Sequence, residues 1–373
     1  MSTVSAGIGQ SDRPVAVPDT PATPVKYWAA LGLAILLFQC VIPIRWVSGP
    51  FFHHVDAGPT PMPPWMKPAL VALQIVLPIV AAGVLYRTVV RPWRRERRIG
   101  LDGLMAISFL MLAFHDPLSA YFNHWYAYNA WQVNMGSWVN SMPGAMAPGT
   151  PEHQVAYPLL IVPPAYVVIF MLVTTMGAAV MRKAKHRWPH LSRISLAAIC
   201  FSVMVPFDIV FEGIVFMPLG SWEYPGGHVK IFSDTFHAYP LNEALTTGTI
   251  FTMFACIKYF TNDRGQSLAE RGVERIGGGT ARVTAVRLLA VSGLVTLAMT
   301  LGYSLPNTWF GAHSTAWNED IQTRSYLTYT CGEGPHIACP SPDVPLLRND
   351  NGAAGANGRK FGENYPPQFP YHR

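Results

Sequence analysis

The chain has 373 residues, 50% of them hydrophobic and only 13% charged, where a soluble domain carries about 25%. That balance excludes an ordinary soluble enzyme and points to a polytopic membrane protein. The net charge of +6 raises a nucleic-acid reading, but Lys and Arg cluster at the ends of apolar runs, which speaks for membrane topology instead.

Residues 1–25 are polar and Pro-rich, lack the apolar core and cleavage site of a secretory signal, and read as a disordered cytoplasmic tail. Seven apolar runs follow, each of about the 17–25 residues needed to span a bilayer. They are Tyr27–Ile44, Met66–Tyr86, Ile99–His115, Tyr157–Met181, Leu191–Met217, Phe236–Tyr259 and Val283–Leu305. The third is the weakest, short and ending at His115-Asp116-Pro117. The fold expected over residues 26–305 is therefore an all-α, multi-pass bundle of about seven transmembrane helices in a cell membrane. Most of the 27 Lys and Arg fall in the links between runs two and three, four and five, and six and seven, which places the N-terminus inside and the C-terminus outside. Residues 306–373 form a Gly/Pro-rich extracytoplasmic tail whose first part is expected to fold over the outer face. Cys40, Cys200 and Cys256 lie within runs and read as apolar packers; Cys331 and Cys339 lie in the outer tail, where pairing is left open.

The outer loop over residues 115–156 combines Trp125, Tyr126, Tyr128, Trp131 and Trp138 with Asn123, Asn129, Asn134 and Asn140. An interfacial aromatic belt explains the rings. It does not explain the asparagines, which suit the lid or wall of a pocket.

Three acids sit where a lipid-spanning helix should have none: Asp208 and Glu212 in the fifth run, Glu243 in the sixth. Such carboxylates usually face a protein interior and mark a working site. At about 1.5 Å per residue, Asp208 and Glu212 lie about 25 and 31 Å from the inner end of their run, and Glu243 about 10 Å from the outer end of its own. His115 and Asp116 end the third run at the same level, so three segments deliver carboxyl groups to one depth. Asp208 and Glu212 are four apart and share a helix face; Tyr239, Asn242, Glu243, Thr246 and Thr247 form a polar stripe. Two carboxyls that close, away from water, do not both ionise readily, which supplies an acid beside a base. Plainer readings exist for each: a packing bond for Asp208, solvation for Glu212, helix-dipole stabilisation for Glu243, a turn for Asp116. Asp234 and Glu223 read as solvated loop residues. The histidines form no repeated His boxes, His186 and His190 flank Pro189 on a basic loop, and Gly277-Gly278-Gly279 follows no strand. No metal or other cofactor is expected.

The chain resembles the AveC-like spirocyclase family of actinobacterial membrane proteins. The resemblance rests on His115-Asp116-Pro117, Tyr128-Asn129, Asn134-Met135-Gly136-Ser137-Trp138, Pro143-Gly144, Pro206-Phe207-Asp208 with Glu212-Gly213, and Ser221-Trp222-Glu223-Tyr224-Pro225-Gly226. It covers roughly Tyr27 to Leu305. It implies closure of a dihydroxy-ketone into a spiroketal and dehydration of the spirocycle, chemistry that passes through an oxocarbenium ion and needs a proton donor, a base and nearby negative charge. The residues themselves suggest the roles: Asp208 and Glu212 as the acid–base pair, Glu243 and Asp116 stabilising positive charge, His115 and Asn242 orienting substrate, and Tyr239, Asn129, Asn134, Trp138 and Trp222 lining its site. The expected ligand is a lipophilic hydroxylated small molecule, polyketide- or terpenoid-like, reached through membrane lipid; the oligomeric state stays open. The same carboxylates would also suit a proton-coupled transporter, and a non-catalytic partner subunit is the third reading.

Overall fold

The computed structural model describes residues 22–58, 60–121, 125–145, 151, 154–233, 235–312 and 324–328. Seven long helices form one bundle: α1 (Thr23–Val47), α2 (Met66–Glu96), α3 (Leu101–Ala120), α4 (Val162–Arg187), α5 (Arg193–Leu219), α6 (Leu241–Tyr259) and α7 (Thr280–Gly311). Six of them are long and apolar enough to cross a membrane; α6 is the exception. Its Asn242, Glu243, Thr246, Thr247 and Thr252 are too polar for lipid, and all five are buried among the other helices. The third helix, the least apolar of the six, is also the most enclosed, with 72% of its apolar window buried. By contrast α1 and α2 turn Leu37, Val41, Ile44, Ile75, Val76 and Ile79 outward, as helices facing hydrocarbon do.

Packing follows side-chain size. α1 crosses α7 at Gly32 and Gly293, so closely that a Cβ on Gly32 would lie 1.9 Å from the Leu289 carbonyl oxygen. Small residues at such crossings let backbones meet, which is how helices associate without a hydrophobic drive between them. Gly177 likewise admits Ala255 and Cys200 between α4, α6 and α5. Cys200 is buried as expected, but Cys40 is exposed on α1.

At the arginine-rich end, Lys258 bonds Asp102 at 2.8 Å. Arg287 is buried there, bonded to Glu270 at 2.7 Å and to the Ile99 carbonyl at 2.8 Å. Both basic residues have acidic partners in the fold. The opposite end is closed by loops and two short antiparallel ribbons. In one, β1 (Ala127–Tyr128) pairs with β2 (Trp222–Glu223); in the other, β3 (Lys230–Ile231) pairs with β4 (Tyr239–Pro240). A single turn of helix, α8 (Ser325–Thr328), lies against β1 and buries Tyr326 and Leu327 on Met66 and Leu70. The tail thus returns over this end.

Helix ends depart from the expected runs. α1 starts at Thr23, inside the stretch expected to be a disordered tail, with Val25 fully buried. α4 and α6 start at Val162 and Leu241, because Tyr157 and Phe236 belong to the preceding loops. α2 continues through a π turn at Tyr86–Val90 to Glu96, and α7 runs beyond Leu305. Residues 1–21, Asp234, Cys331 and Cys339 lie outside the described residues.

Candidate active site

Two of the four acids lie where the helix leaves α geometry. Asp116 lies in the 3-10 stretch Ala113–Ala120 that ends α3; Pro117 has no N–H and disfavours α-helix at the residue before it. In α5, Pro206 removes a backbone donor just before Asp208, and the helix widens into a π segment at Ile209–Phe216 that carries Glu212. Another π segment, Thr300–Ser304 in α7, carries Tyr303. Single-turn π insertions are frequent at functional sites. Glu243 sits in the first turn of α6, near the positive end of its helix dipole.

These segments meet around one cavity of about 130 Å³, lined by all four acids: Asp116, Asp208, Glu212 and Glu243. An empty apolar cavity of about 150 Å³ accepts benzene, so this one takes a single ring or the reacting part of a larger molecule. Its walls are aromatic and aliphatic, including Trp125, Phe170, Phe211 and Phe251. Among the described residues, no Lys, Arg or His lines it.

Neutral donors hold the acids. Asp116 accepts from Tyr128 at 2.7 Å on one oxygen and from Tyr166 at 3.0 Å on the other. Glu243 accepts from Tyr303 (2.7 Å) and Thr247 (3.1 Å) on Oε1, and from Asn307 (2.7 Å) on Oε2. Among the described residues, the other two are held on one oxygen only. Asp208 Oδ2 accepts from Tyr239 at 2.5 Å. Glu212 Oε1 accepts from Trp222 Nε1 at 2.8 Å and from Tyr224 at 2.7 Å. The β1–β2 register sets two of these contacts, because Tyr128 and Trp222 face each other across the ribbon. Of the phenols on the loops, Tyr128 and Tyr224 titrate well above the usual tyrosine range, mainly through burial and then through the charge of Asp116 and of Glu212 respectively. They stay neutral donors.

The residues expected to carry the site divide. Asp116, Asp208, Glu212, Glu243 and Trp222 line the cavity. Tyr239 is fully buried behind Asp208 and fixes it. The remaining five do not line it. His115 bonds Ser304 of α7 at 3.2 Å and joins two helices. Asn242 Oδ1 accepts from the His228 amide at 3.3 Å. Asn129 donates to the Gly220 carbonyl at 2.9 Å, and Asn134 accepts from Val55 N at 3.0 Å while donating to Ala130 O at 2.9 Å. Trp138 donates to Phe114 O at 3.1 Å and packs its ring on Tyr157. Apart from the His115–Ser304 bond, these are clasps on buried backbone groups, which need partners that the amides and an indole supply. Glu223, expected to be solvated, is fully buried and pairs with Arg324 at 3.0 Å. Tyr166, Tyr224, Tyr303 and Asn307 were not anticipated. The one available signal was the i, i+4 spacing of Tyr303 and Asn307, which puts both on one face of α7.

A family model described as "Spirocyclase AveC-like" matches residues 96–327, more than half of the chain. No curated protein and no solved structure matches it.

Proposed function

The chain belongs to the AveC-like spirocyclase family, and from that premise we propose that the carboxyl-lined cavity is a membrane-embedded acid–base site that cyclises and dehydrates a lipophilic, hydroxylated substrate. The observation that carries this is the unequal bonding of the four acids. Asp208 and Glu212 each keep one oxygen without a donor among the described residues, so each can give or take a proton inside the cavity. Asp116 and Glu243 have donors on both oxygens, which leaves them as fixed acceptors and sources of negative charge.

The chemistry follows from these roles. One hydroxyl of a dihydroxy-ketone adds to the carbonyl and gives a hemiketal. The protonated member of the Asp208–Glu212 pair donates its proton to the hemiketal hydroxyl, which leaves as water. The oxocarbenium ion left behind sits among four carboxyls and aromatic faces, in a site where charge–charge terms are stronger than in water. The second hydroxyl attacks, the other carboxylate takes its proton, and the pair is left as it began with the proton moved between partners. Loss of a further hydroxyl as water, with a C–H proton passed to the same pair, dehydrates the ring. Following the positive-inside pattern, the cavity lies in the outer third of the membrane, and the substrate enters from lipid.

A proton relay would need ionisable groups along the whole span. The four acids share one end, and the buried Arg287–Glu270 pair stands at the other, which favours a reaction site over a relay. The test is conversion of lipid-soluble extract from the host by isolated membranes, followed by mass. Wild-type protein yields a product lighter by one water, or by two where the ring is also dehydrated; Asp208→Asn abolishes this while expression and folding persist. Full activity in that variant overturns the reading.

A further inference from the structure

We propose that the buried Glu223–Arg324 ion pair is a positioning clamp for the cavity, acting through the β1–β2 ribbon; this rests on the proposed reaction site. Side chains alternate across a strand. Trp222 therefore points into the cavity, on Glu212, while its neighbour Glu223 points away, onto Arg324. Across the ribbon, Tyr128 opposes Trp222 and bonds Asp116. One ribbon thus carries a donor for an acid of α3 and a donor for an acid of α5. A two-residue ribbon has no stability of its own, so its position must be set from outside.

The segment at 324–327 does this. Arg324 directs Nε and Nη2 to Glu223 Oε2 at 3.1 and 3.0 Å, with 8% of its side chain exposed and none of that of Glu223. Two residues on, the Tyr326 carbonyl accepts from Ala130 N at 2.7 Å. Ser325 and Thr60 bond each other reciprocally, and Ser325 Oγ donates to Ala57 O. The ribbon is therefore pinned to the α1–α2 link and to the start of α2. A buried ion pair gives little net stability, because desolvation offsets attraction; its best-attested use is to fix register. Here the register is the one that aligns Tyr128 with Trp222. The family match extends to residue 327 and so takes in this segment.

The experiment uses full-length protein in lipid nanodiscs, labelled with 5-fluorotryptophan, with the Trp222 fluorine resonance assigned through Trp222→Phe. The variant Glu223→Gln/Arg324→Met removes both charges, so neither is left buried alone. The clamp predicts that the Trp222 resonance broadens or splits while the other tryptophan resonances stay in place. It also predicts kcat falling roughly tenfold, the loss of about one aligned hydrogen bond, with KM within about twofold. Arg324→Lys, which keeps the charge, recovers part of both readouts. If the double variant does not fold, Arg324→Lys is read by the same resonance. A sharp, unmoved Trp222 line, or wild-type kcat, overturns the clamp. The fluorine readout needs no turnover, so it decides this inference even if wild-type membranes convert nothing and the reaction assignment falls.

Discussion

Glu243 gives the sharpest separation of stability from chemistry. Three donors converge on it: Tyr303, Thr247 and Asn307. Glu243→Ala leaves all three without their acceptor in a site where Glu243 itself is 1% exposed. Each orphaned polar group costs about 1–3 kcal/mol, so the loss is about 3–9 kcal/mol. Water entering the cavity relieves part of it, which favours the lower end. At roughly 2 °C per kcal/mol for a domain of this size, the apparent Tm in detergent should fall by about 6 °C or more. Glu243→Gln is different. Its Oε1 still accepts from Tyr303 and Thr247, and only the Asn307 contact is mismatched. Asn307 can turn its oxygen inward only by giving up its bond from Thr246, and Thr246 has the Asn242 and Glu243 carbonyls as alternatives. The expected cost is about 1–2 kcal/mol. Turnover nonetheless falls about 100-fold, the scale seen when one preorganised electrostatic group is lost. Thermal unfolding and substrate conversion, measured on the same preparations, give both numbers. An alanine variant that melts within about 2 °C of wild type would refute the claim that these donors depend on Glu243. A glutamine variant with full turnover would refute the role of its charge.

Two further outcomes follow from the lining. A cavity with four carboxyls and, among the described residues, no basic side chain should prefer a lipophilic cation: N-octylpiperidine, protonated at neutral pH, should inhibit at least about tenfold more strongly than the neutral ether 2-octyltetrahydropyran, through charge and cation–π attraction, and equal potency would count against oxocarbenium stabilisation. Tyr128 and Tyr224 titrate above the unfolded value of about 10, so their contribution to stability is complete below pH of about 10 and is lost as pH rises through their folded values; phenolate absorbance should show them ionising only with unfolding, and reversible titration near 10 in the folded protein, seen as the difference from Tyr128→Phe, would contradict their burial as donors.

Much of the bundle was legible because lipid imposes a simple rule on length and hydropathy, and Leu101–Ala120 and Arg193–Leu219 obey it closely enough to be found. Counting along helices then sufficed to bring Asp116, Asp208, Glu212 and Glu243 to one level, since helical rise is nearly fixed. What counting could not reach was the partners of these acids. A tyrosine near a helix end or in an outer loop has the same composition whether it anchors at the lipid interface or bonds a carboxyl. Tyr128 and Trp222 become donors only through a ribbon register between distant segments. Glu223 read as solvated because its partner stands 101 residues on. Asn129, Asn134 and Trp138 read as pocket wall because the sequence shows their polarity but not the backbone groups they satisfy.

The choice of donors bears on function. A buried carboxyl can be satisfied by a lysine or arginine, as Glu223 and Glu270 are, and its charge is then cancelled. Around the cavity the acids are held by tyrosine, tryptophan, threonine and asparagine. These fix geometry and supply hydrogen bonds without adding a positive charge, so among the described residues no cation cancels a carboxylate formed there. The backbone makes the same point. Irregular helix is tolerated at membrane depth where it lines a cavity or is covered by protein, and two of the π segments and one 3-10 segment bring Glu212, Tyr303 and Asp116 to the cavity. A scaffold serving only stability would have neutralised these acids as it did the other two. Leaving them uncompensated makes sense where, as in the proposed reaction, a positive charge develops on the substrate and is discharged when the second hydroxyl closes the ring.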